Sequence, residues 1–216
     1  NEGFDVARTI KGQYEHIPMV ILTPFSHGIT KRIANEDLSS FDYIFCWLGN
    51  TDLLVSIIKL IEDKMNLEHD VSEVGVQIIL LVEDGIRFYS SILPNLYKFV
   101  LKQSQEFSTE ALNAHQRTLR MRGRPKIVLA RTYNEAIGIY EKYKNNILGV
   151  ITDVRFPRVE RGEKDALAGI KLCAAIRKED PFVPLIIQSS ESENVSYAAK
   201  YDAAFIDKNS KKMDVD

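Results

Sequence analysis

The sequence predicts an α/β fold in which a doubly wound, parallel, five-stranded sheet is preceded by a partial copy of the same fold. Short apolar runs, typical of strands buried on both faces, alternate with segments of helical periodicity between residues 76 and 208. A shorter series of the same kind occupies residues 1–70. Such alternation is typical of parallel sheets with right-handed crossovers. A length of 216 residues allows two cores.

The first part of the chain has the order strand, helix, strand, helix. The strands are predicted at Pro18–Thr23 and Phe41–Cys46, with a helix between them. The second helix follows Asn50 or Thr51 as its N-cap and is predicted by the helical spacing of Leu54, Ile57, Ile58, Ile61 and Met65. The polar stretch 66–73 lacks periodicity, so we place the domain boundary there and predict domains at residues 1–70 and 76–216. Because the first residues already read as a helix and the last helix is incomplete, we expect a fragment of a longer protein.

Five further strands are predicted in the second part. A long helix should begin at Ile86 and end near Leu101, and Thr132 and Glu135 form a capping box at the start of the next helix. Two charged segments, residues 103–124 and 155–168, are longer than usual connections. The five strands are Val76–Val82, Lys126–Ala130, Ile147–Thr152, Pro184–Gln188 and Ala203–Asp207.

Polar residues follow the predicted strands at the edge where ligands bind in open α/β sheets. Glu83 and Asp84 follow the first strand of the second part, and Asp153 follows the third. Ser189 follows the fourth strand and Lys208 follows the fifth. We therefore expect three carboxylates, a hydroxyl and an amine to lie close together.

Close carboxylates repel each other by roughly 4 kcal/mol per pair at ~4 Å and an effective dielectric constant of ~20, so the cluster needs a cation or a proton. Mg²⁺ prefers such oxygen ligands. We expect Glu83, Asp84 and Asp153 to bind it, and we expect Glu83→Gln to relieve the repulsion when no metal is present. With Lys208 neutralising phosphoryl oxygens, Asp153 is the natural nucleophile for phosphoryl transfer.

Four motifs resemble, in order and spacing, those of two-component response-regulator receiver domains. They are Val82-Glu-Asp84, Ile151-Thr-Asp153-Val-Arg-Phe-Pro157, Ile187-Gln-Ser189-Ser190 and Phe205-Ile-Asp-Lys208, and they span Val76 to Lys208. The chain departs from the family at Asn209, where proline is usual, and in the long loop after Pro157.

The resemblance implies a flavodoxin-like receiver fold that takes a phosphoryl group on Asp153 with Mg²⁺. It implies that Glu83, Asp84 and the main-chain carbonyl of Arg155 join Asp153 as metal ligands. It further implies that Ser189 binds the phosphoryl group, that Phe205 is the switch aromatic and that Lys208 forms an ion pair. The implied partners are a histidine kinase or phosphotransfer protein and an output domain in the same or another chain; a homodimer is one assembly the family allows. Self-phosphorylation and self-dephosphorylation are the only chemistry implied, so the chain is not expected to be an enzyme with turnover.

Two weaker resemblances concern other parts of the chain. The first part resembles the second half of another receiver, truncated or degenerate, with Thr23 at the switch hydroxyl, Tyr43 at the aromatic and Cys46 where lysine should be. The segment His115–Pro125 resembles receiver regions of large bacterial proteins related to pyruvate and phosphoenolpyruvate phosphotransferases.

Composition excludes several function classes. No apolar run approaches the ~20 residues of a membrane helix, and the isolated Cys46 and Cys173 argue against disulfides and a zinc site and fit a cytoplasmic protein. The net charge of −2 gives no general attraction to nucleic acid. We interpret the basic segment 115–125 as a solvated linker or partner surface, because its arginines lack interleaved aromatic residues.

Three alternatives to phosphorylation remain at this point. A non-phosphorylated pseudo-receiver that acts as an interaction scaffold is the strongest. A flavodoxin-like cofactor carrier would need a phosphate cradle where Glu83 and Asp84 stand, and their charge would repel the phosphate. An aspartate-nucleophile phosphatase would need a second acid two residues after Asp153, where the chain has Arg155.

Overall fold

The computed structural model describes residues 2–24, 37–109 and 123–210. The chain forms two compact units, one from Asn1–Ile61 with Gly85–Leu96 and the other from Glu62–Asp84 with Tyr97–Asp216. The chain thus passes between the units at residues 61–62, 84–85 and 96–97, and the first and last of these passages lie inside helices. The sequence analysis placed a single boundary in residues 66–73. Within the described residues, no helix is long and apolar enough to cross a membrane.

The first unit contains two parallel strands, β1 (Val20–Pro24) and β2 (Tyr43–Trp47), as the apolar runs predicted. The helix predicted between them falls on residues 25–36, which lie outside the described residues. Three helices contribute to the unit: α1 (Glu2–Gln13), α2 (Asp52–His69) and α3 (Ile86–Thr109). Of the last two, the unit includes α2 as far as Ile61 and α3 as far as Leu96. The buried Tyr89 of α3 donates its hydroxyl to the carbonyl of Ile44 in β2.

The polar stretch 66–73, which lacks apolar periodicity and in which the sequence analysis placed the domain boundary, is helical. Helix α2 continues to His69, and a π-helical turn at Asp70–Val74 ends at Gly75, whose φ of 71° is left-handed. Acidic residues here pair with lysines: Lys126 Nζ lies 2.6 Å from Asp70, and Lys142 Nζ lies 3.5 Å from Glu68. Burial alone would raise the pKa of Asp70, but the hydrogen bond and charge of Lys126 outweigh it and hold that pKa below its usual range.

Asp63 explains why the helix extends so far. It is 0 % exposed and lies on the buried face of α2, in register with Leu60 and Leu67. Arg124 donates to both of its carboxylate oxygens, at 2.6 and 3.1 Å. Tyr97 and the main-chain N–H of Ile127 donate to it as well, so this buried charge is fully paired.

The sequence interpretation placed Arg124 in a solvated linker or partner surface, and for this residue it is wrong. Arg124 is 5 % exposed and is paired with Asp63. Burial opposes its charge, yet the Asp63 carboxylate more than offsets this and raises the pKa of Arg124. The rest of the basic segment, residues 115–122, lies outside the described residues, as does most of the segment that resembles the phosphotransferase-related proteins.

The second unit is built on a five-stranded parallel sheet. Numbered in chain order, its strands lie in the order 2-1-3-4-5. This confirms the predicted fold class: it is the flavodoxin-like order, with its switch point between the first and third of these strands. The predicted strands are all present, with ends shifted by at most two residues. They are β3 (Ile78–Val82), β4 (Lys126–Ala130), β5 (Ile147–Asp153), β8 (Leu185–Ser189) and β9 (Ala204–Asp207).

Helices α4 (Tyr133–Tyr143), α5 (Ala168–Glu179) and α6 (Val195–Lys200) connect these strands and cover the apolar core. Thr132 caps α4 as predicted, since its side chain accepts from the N–H of Glu135. The Glu135 carboxylate reaches the N–H of Arg131. Both cysteines are buried and free, and burial raises the pKa of Cys173 to about 12, so this thiol is a core residue.

The charged loop after β5 is an ordered hairpin, which we call the inserted hairpin (residues 155–167). Its two short antiparallel strands, β6 (Phe156–Pro157) and β7 (Lys164–Asp165), pair with each other. Phe156 is fully buried in the core, and the carbonyl of Arg158 accepts from the N–H of Asn134 at the start of α4. Asp165 accepts from Lys171 of α5, an interaction that lowers the pKa of Asp165.

Candidate functional site

Three carboxylates meet at the switch point of the sheet. Glu83 and Asp84 follow β3, and Asp153 ends the neighbouring strand β5. One oxygen from each lies within 4.8 Å of the others. Glu83 is buried, and the other two are partly buried. The strands bring these acids together because parallel strands present their carboxyl ends at one edge of the sheet.

Lys208 connects the acids across the sheet. It follows β9 at the far edge of the sheet, and its ammonium nitrogen lies 2.5 Å from Glu83 Oε2 and 3.0 Å from Asp153 Oδ1. Its side chain is only 2 % exposed, so little solvent screens these ion pairs. The N–H of Lys208 donates to the carbonyl of Ser189, which continues the pairing of β9 with β8. Both the backbone and the ammonium group of Lys208 are thus held in position.

Asn209, which stands where the receiver motifs that the sequence resembles usually have proline, also holds this turn. Its side-chain amide donates to the carbonyl of Ser190, and its N–H is bound by the Asp207 carboxylate. With asparagine at this position, the turn is therefore tied to the loop after β8.

The two carboxylate oxygens of Asp153 differ in their surroundings. Oδ1 accepts from the N–H of Val154 at 2.8 Å and from Lys208. Oδ2 has no hydrogen-bond or ion-pair partner among the residues that the structure describes. The carboxylate is therefore oriented through one oxygen while the other is available to react or bind a cation.

Gly169 shapes the backbone behind Asp153. A Cβ atom built on Gly169 would lie 1.9 Å from the carbonyl oxygen of Asp153, a distance that no side chain tolerates. The N–H of Gly169 donates to the carbonyl of Val154. Glycine here lets the start of α5 press directly against the chain that carries Asp153. Sequence reasoning missed this residue, because the inserted hairpin places it 16 positions after Asp153.

Ser189 lies at the end of β8 and is 4 % exposed. Its oxygen accepts from the N–H of Glu191 at 3.1 Å and from the amide of Asn194 at 2.9 Å. The hydroxyl hydrogen of Ser189 has no acceptor among the described residues. The serine thus has a free donor and is tied to the segment that leads into α6.

Phe205 lies in β9, and Arg155 lies in the bend after β5. Phe205, in the middle of β9, is partly buried and packs against the core of the second unit. Arg155 is exposed in the bend directly after β5, two positions beyond Asp153.

Lys164 is a site residue that the sequence did not predict. Its ammonium nitrogen lies 2.6 Å from Oδ2 of Asp84. Only the hairpin geometry brings it there, and the sole sequence signal was a basic residue in an unusually long loop after Asp153. Oδ1 of the same carboxylate is buried and has no hydrogen-bond partner. A cavity of about 310 Å³ opens beside Asp84, lined by Arg131, Thr132, Glu135, Pro157, Glu160 and Arg161.

The solved structures similar to this chain include two that it covers over most of their own length. One is a response regulator receiver domain protein from Clostridium thermocellum, 22% identical, with a TM-score of 0.41 and coverage of 65% of this chain and 88% of that one. The other is the chemotaxis protein CheY4 of Vibrio cholerae, 14% identical, with a TM-score of 0.36 and coverage of 63% and 89%. No protein-family model and no curated protein sequence matches the chain.

Proposed function

We propose that the second unit is a phosphorelay signal receiver that accepts a phosphoryl group on Asp153 with Mg²⁺ and changes conformation to regulate an output domain. The observation that carries the proposal is Lys208, which reaches from the far edge of the sheet to contact both Glu83 and Asp153. A buried lysine between carboxylates at a switch point is an arrangement suited to bind phosphoryl oxygens.

The acids fit a divalent metal ion. Three carboxylate oxygens within 4.8 Å form an oxygen donor set of the kind that Mg²⁺ prefers. Oδ1 of Asp84 is buried without a hydrogen-bond partner, so it lacks the compensation that a buried charged oxygen requires. Glu83, Asp84 and Asp153 would hold the ion, with the main-chain carbonyl of Arg155 as a further ligand. When bound, Mg²⁺ would neutralise charge on the transferring phosphoryl group.

The protein's own residues account for the rest of the transfer. Oδ2 of Asp153 attacks the phosphorus atom of an acyl phosphate or phosphohistidine donor. A P–O bond to Asp153 forms while the bond to the donor breaks, and the donor leaves as a carboxylate or an imidazole. Lys208 pairs with the new phosphoryl oxygens, and the Ser189 hydroxyl donates its free hydrogen to one of them. The Val154 N–H holds Oδ1 throughout.

A histidine kinase or a phosphotransfer protein would supply the phosphoryl group, and a cytoplasmic location follows from such partners. The first unit would be a receiver-like segment without a phosphoacceptor. Its parallel β1 and β2 support this assignment, as does Cys46 at the position that corresponds to Lys208.

Phosphorylation by a small donor tests the proposal. Wild type, Asp153→Asn and Asp202→Asn are incubated with acetyl phosphate and Mg²⁺ and weighed by intact mass spectrometry. Asp202 is a matched control, because it is exposed, precedes β9 and has a φ of 49° that asparagine tolerates. We expect one phosphoryl group on wild type and Asp202→Asn and none on Asp153→Asn. Equal labelling of Asp153→Asn would refute the assignment, and no labelling of wild type would favour the pseudo-receiver.

A further inference from the structure

The inserted hairpin brings a basic side chain to an acid of the candidate metal site. Lys164 Nζ lies 2.6 Å from Asp84 Oδ2. The cluster then contains three carboxylates and two ammonium groups, since Lys208 pairs with Glu83 and Asp153. Repulsion among the acids is thus largely balanced by the protein's own cations.

The two lysines differ in how firmly they are held. The side chain of Lys208 is 2 % exposed, whereas that of Lys164 is 48 % exposed. A half-exposed ion pair is weak and readily exchanged, while a buried one is costly to break. Lys164 is therefore the cation that a competing ion can displace.

The position of Lys164 is fixed by the hairpin rather than by its own contact alone. β7, which carries it, pairs with β6, whose Phe156 is fully buried. The next residue, Asp165, binds Lys171 Nζ at 2.6 Å and the N–H of Leu167 at 3.0 Å. Across the hairpin, the Arg158 guanidinium stacks over the ring of Tyr133 at 4.8 Å. The backbone beneath Lys164 is thus anchored to both α4 and α5.

Building on the proposed function, we propose that Lys164 is a tethered cation that competes with Mg²⁺ for Asp84. Without metal, its ammonium group compensates the Asp84 carboxylate. A divalent ion held by the same carboxylate would lie a few ångströms from that ammonium group and repel it, so metal binding requires Lys164 to move away. The hairpin thereby lowers the affinity of the site for Mg²⁺. Lys164 is released from Asp84 when the metal ion binds.

The test measures Mg²⁺ binding directly. MgCl₂ is titrated into ¹⁵N-labelled protein at constant ionic strength, and the amide shifts of Val154 and Asp84 give the dissociation constant. The variants are Lys164→Met, which removes the charge; Lys164→Arg, which retains it; and Lys178→Met. Lys178 is a matched control, because it is exposed in the last turn of α5, at the other end of the helix that begins beside Asp153.

We expect Lys164→Met to bind Mg²⁺ about two- to fivefold more tightly than wild type, in line with the strength of a half-exposed ion pair. Lys164→Arg and Lys178→Met should bind as wild type does. In an Asp84→Asn background the effect of Lys164→Met should disappear, because the shared carboxylate is gone.

Two different failures are distinguishable. If wild type binds Mg²⁺ and Lys164→Met binds it with the same affinity, Lys164 does not compete and the inference is wrong, while the proposed function stands. If wild type shows no shift changes at Val154 or Asp84, the metal site itself is refuted, and the inference falls with it.

Discussion

At the scale of single residues, the site is an acid cluster whose charges the protein itself balances. The sequence predicted repulsion among Glu83, Asp84 and Asp153, and from it a gain in stability for Glu83→Gln without metal. The structure reverses that second expectation. Glu83 is 1 % exposed and is paired with a lysine that is itself buried, so its removal takes away a partner instead of relieving repulsion.

Glu83→Gln should therefore destabilise the fold. Lys208 would lose its contact with the Glu83 carboxylate and keep the one with Asp153, and leaving a buried charge poorly paired costs about 3 kcal/mol. Chemical denaturation without metal measures the change. Glu179→Gln is the control, because Glu179 forms a half-exposed pair with Lys144, whose loss should cost less than ~1 kcal/mol. A Glu83→Gln protein as stable as wild type would show that carboxylate repulsion dominates after all.

Gly169→Ala should impair the site by displacing its backbone. The added methyl group meets the Asp153 carbonyl at 1.9 Å, so α5 or the end of β5 must move. We expect a loss of about 1–3 kcal/mol in the free energy of unfolding and slower labelling by acetyl phosphate. Gly138→Ala in α4 has open space around the new atom and should stabilise by up to ~1 kcal/mol. Equal behaviour of the two variants would remove the role given to Gly169.

At the scale of secondary-structure elements, α2 shows how a buried acid extends a helix. Its last turns belong to the second unit because Asp63 binds Arg124, Tyr97 and the start of β4. The signal was present in the sequence, since Asp63 stands at helical spacing from the apolar Leu60 and Leu67. Spacing alone does not reveal which basic residue pairs with it, because Arg124 is 61 positions away.

Asp63→Asn should destabilise the second unit by about 3–5 kcal/mol, because Arg124 and Lys126 lose their buried counterion. Denaturation followed by circular dichroism measures the loss. Glu68→Gln makes the same change of acid to amide on the exposed side of α2, where Glu68 is 82 % exposed, and should cost less than ~1 kcal/mol. A similar cost for both variants would mean that the buried network contributes little.

Ser189 is hydrogen-bonded to the loop that precedes α6. A phosphoryl group on Asp153 would attract its free hydroxyl hydrogen, and the bonds from Glu191 and Asn194 would carry the shift toward α6. Phe205 in β9 would then move into the space that the Ser189 hydroxyl leaves. A charge-assisted hydrogen bond contributes roughly 1.5–3 kcal/mol, which shifts an equilibrium by about ten- to a hundredfold.

Ser189→Ala should therefore abolish the response of residues 195–207 to beryllofluoride, a mimic of the phosphoryl group. Amide hydrogen exchange with and without beryllofluoride measures this response. Ser196→Ala in α6 is the control, since its hydroxyl is exposed and bonds only within that turn. Identical responses in wild type and Ser189→Ala would show that another group provides the coupling.

At the scale of the whole molecule, the sequence predicted the sheet and the residues at its edge well, and for a physical reason. Strands of a buried parallel sheet are continuous apolar runs, and their polar ends stand out against them, as at Val82 to Asp84. Contacts made by insertions have no such pattern. Lys164 reaches Asp84 across 80 positions through strands of two residues each, too short to give a periodic signal.

The division into units was equally hard to predict from composition. A polar segment usually marks a linker, yet within residues 66–73 Asp70 binds Lys126 and Glu68 binds Lys142. The interpretation of Arg124 as solvated was wrong for the same reason. Charge in a sequence indicates exposure only when no buried partner is available.

The central claim is that Asp153 carries the phosphoryl group, and locating that group on the wild-type chain tests it most directly. The protein is treated with acetyl phosphate and Mg²⁺, reduced with borohydride, which converts an aspartyl phosphate to homoserine, and digested for peptide mass spectrometry. The account predicts the conversion at Asp153 and at no other acid, with Glu83, Asp84 and Asp207 unchanged. Conversion at a different residue, or none at Asp153 while the intact protein gains a phosphoryl group, would contradict it.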